Sequence, residues 1–107
     1  MSSAQIPQHL REAAEALPGD VYAVHESDEV KQKALQLARG RYQRWLIEGW
    51  AALSHATLRG RAAEFPNSYR DSADNLLRRL RQAGLGEEYR TKRGKRVLVI
   101  YDFNGNV

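Results

Sequence analysis

Five consecutive apolar residues, Val97-Leu98-Val99-Ile100-Tyr101, constrain this chain more than any other stretch. A strand sends successive side chains to opposite faces, so one that is apolar at every position must be covered on both. Helices can cover one face. The other needs a neighbour, either the short β-prone segment Val21-Tyr22-Ala23-Val24 or a second subunit. Just before the run stands a cationic tip, Lys92-Arg93-Gly94-Lys95-Arg96. Glu87 to Lys92 forms the rising strand of a hairpin. The turn falls at Arg93-Gly94 or Gly94-Lys95, and Arg96 to Tyr101 returns.

The remaining periodicity is helical. Ile6, Leu10, Ala13, Ala14 and Leu17 share a face, with Pro7 early in the helix and Pro18-Gly19-Asp20 ending it. Ser27 is an N-cap residue followed by Asp28 and Glu29, which suit the positive end of a helix. From there Val30, Ala34, Leu37, Ala38, Tyr42, Trp45 and Gly49 step by three or four, predicting one long helix over 28–49 with a weak point at Gly40. Ser54 caps a short helix to about Glu64, and Phe65-Pro66-Asn67-Ser68 breaks it. Ser68 then caps a helix over 69–83, whose stripe of Tyr69, Ala73, Leu76, Leu77 and Leu80 is the cleanest in the chain. Gly84 suits its C-terminal turn. The expectation is one α+β domain over residues 6–103, with residues 1–5 disordered and 104–107 frayed.

At 107 residues the chain can bury one modest core. It has no cysteine, no secretory leader pattern and no apolar window long enough to span a bilayer, which fits a cytoplasmic protein. Net charge is +4, unevenly placed. Residues 1–55 hold six Lys/Arg against seven Asp/Glu, and residues 56–107 hold eleven against six. The excess in the second half suggests a polyanionic partner. Arginine outnumbers lysine thirteen to four, which a GC-rich genome also produces.

A helix, a four-residue turn, a second helix and a basic hairpin follow in order along "LSHATLRGRAAEFPNSYRDSADNLLRRLRQAGLGEEYRTKRGKRVLVIYD", from Leu53 to Asp102. This order resembles the winged helix-turn-helix DNA-binding superfamily, with the helix-turn-helix at 54–83 and the wing at 86–101. The resemblance implies a mostly helical α+β fold with a C-terminal β-hairpin wing. It also implies double-stranded DNA binding by a small bacterial, plasmid or phage transcriptional regulator.

The side chains support the same chemistry independently. Opposite the apolar stripe of the 69–83 helix lie Asp71, Asn75, Arg78 and Gln82, flanked by Asp74 and Arg79. Asn and Gln pair bidentately with adenine, and Arg with guanine, in the major groove. Ser68 and Arg70 at the helix start suit phosphate contact. Lys92, Arg93, Lys95 and Arg96 suit backbone or minor-groove contact. Asp71 and Asp74 oppose this, and i,i+4 ion pairs such as Asp74 with Arg78 would make the same face a merely solvated one. Lysine and arginine at a hairpin tip also blunt edge-strand aggregation. Arg59 and Arg61 suit phosphate contact or plain solubility.

Two other readings stand beside DNA binding. In one, a protein-binding adaptor or inhibitor uses the apolar run and the aromatic residues of the long helix as its interface. In the other, an RNA-binding module uses the basic hairpin without any RNP-type aromatic motif. The 28–50 helix, with Trp45 and Trp50, offers a homodimer surface. His9, His25 and His55 lack metal-ligand spacing, and no nucleophile elbow or phosphate-loop motif is present. No cofactor, metal or enzymatic role is expected.

Overall fold

The computed structural model describes residues 6–18, 21–49 and 69–103, with side chains of the last segment from residue 72 onward. These residues form an α+β fold of four helices and one three-stranded mixed sheet. Helix α1 spans Gln8–Glu15, α2 Asp28–Leu35, α3 Gly40–Glu48 and α4 Tyr69–Ala83. Strands are β1 Ala23–His25, β2 Gly86–Arg90 and β3 Arg96–Ile100.

The apolar run occupies the middle of the sheet. The order is β1-β3-β2, with β1 parallel and β2 antiparallel to β3. The neighbour that the run requires is therefore the predicted N-terminal segment, in register Ala23 with Leu98 and His25 with Ile100. The strand is set one or two residues later than Val21–Val24 suggests, although Tyr22 O still accepts from Leu98 N at 2.8 Å. Alternation along β3 builds two cores. Val97, Val99 and Tyr101 pack with Ile6, Leu10, Ala14 and Val24 beneath α1. Ile100, with Leu98 against it, packs with Val30, Ala34, Leu46, Ile47, Leu76 and Leu80 from α2, α3 and α4. Each fully buried aliphatic side chain contributes about 1.5–3 kcal/mol, so this one strand organises both layers.

The long 28–49 helix is not continuous. Gly40 has φ 80°, a conformation that a Cβ disfavours, and the chain turns there between α2 and α3. The break rotates the second half. Gln43, Leu46 and Ile47 face inward, and Tyr42 and Trp45 are half-buried rather than forming a continuous stripe with Val30 and Ala34. The single helix expected over 28–49 is thus replaced by two short helices. Ser27 does cap α2, its Oγ accepting from Val30 N at 3.1 Å.

Helix α4 ends as its sequence predicts. Leu85 N donates to Leu80 O at 2.9 Å and Gly84 N to Arg81 O at 3.1 Å, the paired bonds of a Schellman terminus. The hairpin then turns through Gly94, at φ 87°. No helix of the described residues is long and apolar enough to cross a membrane. The expected helix at 54–64, the breaker 65–68 with Ser68, the side chain of Arg70, and Trp50, Arg59 and Arg61 lie outside the described residues or side chains.

Candidate nucleic-acid interface

Helix α4 carries half of the predicted site. At about 100° per residue, Asp74 and Arg81 fall on one flank of its buried stripe, Ser72 and Arg79 on the other, and Asn75, Arg78 and Gln82 between them. Both flanks are pinned to neighbouring elements. Towards the hairpin, Arg81 Nε donates to Glu87 Oε1 at 2.5 Å, and Arg96 bridges Asp74 and Glu88 through its Nη2 and Nε. Towards α3, Gln43 Nε2 donates to Ser72 O at 2.9 Å and Ser72 Oγ at 3.2 Å. On that side Arg79 Nε donates to Leu37 O at 3.1 Å, and its Nη2 to Gln43 Oε1. The strip left outward is narrow, and Asn75, Arg78 and Gln82 are all exposed on it. Arg78 Nη1 donates to Asn75 Oδ1 at 3.1 Å, so the two side chains are held side by side.

The structure divides the hairpin cations, which the sequence groups together. Lys92 and Arg93 are exposed at the turn. Lys95 Nζ turns to the α1 side, donating to Pro18 O and standing 5.3 Å from the Tyr22 ring centroid. Arg96 turns to α4, where its bond to Asp74 raises the guanidinium pKa against an opposing effect of burial, with Glu88 adding to the rise. Thr91 Oγ1 accepts from Lys95 N at 2.9 Å, and Glu15 Oε2 from Lys92 N at 3.0 Å, so α1 anchors the turn. Of the four tip cations, Lys92 and Arg93 are left outward, while Lys95 is held by a backbone carbonyl and Arg96 by two carboxylates. Arg79 is likewise a bracing residue rather than a free one.

Two residues were not singled out by sequence. Gln43 is only 4% exposed, yet all its polar atoms are engaged, Oε1 also accepting from Arg39 N at 2.7 Å. That shared oxygen brings the Arg39 backbone beside the Arg79 guanidinium. Burial lowers the Arg79 pKa, and the charges of Arg39 and Arg78 lower it further. Arg39 is exposed and occupies the N-cap position of α3, which has no side-chain cap and no acid in its first turn. Its signal in the sequence was the Arg-Gly-Arg at 39–41, an interruption of the helical stripe.

Among the described residues no three His, Asp or Glu side chains converge as metal ligands would. A cavity of about 300 Å³ is lined by Tyr22, Tyr42, Leu46, Ala73, Arg96 and Leu98, at the lower limit of small-molecule sites. No family model matches the chain. A search of curated proteins and one of solved structures likewise find no match.

Proposed function

We propose that this chain binds double-stranded DNA as a small transcriptional regulator of winged-helix type, with α4 presented to the major groove. One observation carries the reading: Asn75, Arg78 and Gln82 stay exposed in a row on a helix whose other faces are engaged. Amide and guanidinium forks are the groups that read adenine and guanine edges. Lys92 and Arg93 supply backbone contact from the hairpin turn. Of the interface that the adaptor alternative would use, Val97, Val99, Ile100 and Tyr101 are buried within the fold, while Tyr42 and Trp45 are half-buried.

Each neutralised phosphate contributes about −0.9 to the slope of log affinity against log salt, so Lys92 and Arg93 together give about −1.8. Titration of a labelled random duplex at 50 and 200 mM salt tests this. Salt-sensitive binding that Arg78→Glu abolishes supports the reading. Undetectable binding at 50 mM salt by folded protein rejects it. Asn75→Ala separates base reading from general affinity, since loss confined to a selected sequence marks readout, at about 1–3 kcal/mol per bidentate pair.

A further inference from the structure

We propose that the corner between α2 and α3 is a second backbone contact, in which Arg39 grips a phosphate of the same duplex on the side of α4 away from the hairpin. This rests on the duplex-binding reading and adds to it the direction in which the nucleic acid runs. The corner is rigidly mounted on the recognition helix. Gln43 Oε1 holds Arg39 N, Arg79 Nε holds Leu37 O, and Gln43 Nε2 holds Ser72, so residues 37–39 are tied to α4 by side chains at 43 and 79. Movement of α4 into a groove therefore carries Arg39 with it.

Among the described residues, no ion pair offsets the charge at this corner. Among the described residues, the partners of Arg78 and Arg79 are oxygens of Asn75, Gln43 and Leu37, all neutral. The Arg39 side chain is exposed, and the Arg79 pKa is lowered by burial and then further by the nearby charges of Arg39 and Arg78. A bound anion offsets those charges. A phosphate suits it because a guanidinium meets phosphate oxygens with paired N–H donors. Nucleic acid is favoured over an acidic protein because Asn75 and Gln82, with groups that read base edges, stand on the same strip. The hairpin and the corner then flank the reading strip as two backbone contacts.

Fluorescence anisotropy of a labelled duplex against salt, with Arg39→Ala, Asn75→Ala/Arg78→Ala and Lys92→Ala/Arg93→Ala, tests the proposal. Arg39→Ala retains the amide that bonds Gln43, so the mount is preserved, and an unchanged melting temperature checks this. The expected result is a slope less negative by about 0.9. The affinity lost between 50 and 200 mM salt then shrinks by about 3.5-fold, equally for every sequence. If Asn75→Ala/Arg78→Ala weakens binding while Arg39→Ala leaves both slope and affinity at the wild-type values, the corner contact is overturned and duplex binding stands. If the wild-type chain binds no duplex at 50 mM salt, both fall.

Discussion

The two flanks of α4 use the same residue type to opposite electrostatic ends. On the hairpin flank, arginines meet carboxylates: Arg81 meets Glu87, and Arg96 meets Asp74 and Glu88. On the α3 flank Arg79 meets amide and carbonyl oxygens, Arg78 on the adjoining strip meets the Asn75 amide oxygen, and Arg39 adds a third cation. Both flanks are hydrogen-bonded, but among the described residues charge is cancelled only on the first. A count of basic residues along the chain locates the positive field at the hairpin tip. The acceptors move much of it to the other side of the helix.

Substitutions that remove the mount on the α3 flank carry the largest expected effect. Gln43→Leu leaves Arg39 N, Ser72 O and one Arg79 donor without their partner, and should lower unfolding free energy by about 2–3 kcal/mol in urea titration. A loss under 0.5 kcal/mol would mean that solvent replaces those bonds and the flank is not rigidly held. Gly40→Ala comes next. Nothing crowds its Cβ position, so the cost is backbone conformation alone, about 1–3 kcal/mol. A neutral or stabilising result would mean that the α2–α3 corner can relax into the continuous helix that the periodicity suggests.

That expectation marks where the sequence is legible. The stripe of α4, its Gly84 terminus and the two-sided covering of Val97–Tyr101 follow from local spacing and strand geometry. Gly40 breaks a stripe that otherwise reads as unbroken, and the phase after it hides Gln43 as an inward residue. The engagement of Arg79 with Leu37 and Gln43, and of Arg96 with Asp74, joins positions far apart in the chain. Periodicity carries no information about such pairs. A guanidinium on a helix surface looks the same in sequence whether it faces water or a carbonyl.

Acid sensitivity provides a further contrast. His25 Nε2 meets Ile47 O at the end of α3, and burial lowers its pKa below 6.5 despite that bond, with Lys31 adding to the fall and Asp28 and Glu48 opposing it. The unfolded chain therefore binds the proton more readily. His25 contributes stability that is complete above pH 6.5 and is lost as pH falls through its folded-state pKa, with a slope of at most about 1.4 kcal/mol per pH unit. His25→Gln should flatten the melting temperature across that window. An unchanged profile would show that His25 is not responsible.

The smallest effect belongs to the hairpin flank. Asp74 is half exposed, so Asp74→Asn should cost at most about 1 kcal/mol. It should also tighten duplex binding by removing a repelling charge beside Asn75 and Arg78. Weaker binding would mean that Asp74 itself accepts a hydrogen bond from a base.

The asymmetry is tested most directly by comparing salt slopes of duplex binding for two double variants, Arg39→Ala/Arg78→Ala and Arg81→Ala/Arg96→Ala. Each removes two positive charges. The expected result is a slope less negative by about 0.9 for the first pair, from the Arg39 phosphate, and a wild-type slope for the second, whose guanidinium groups are already paired with carboxylates within the fold. A full loss in the second pair with none in the first would contradict it.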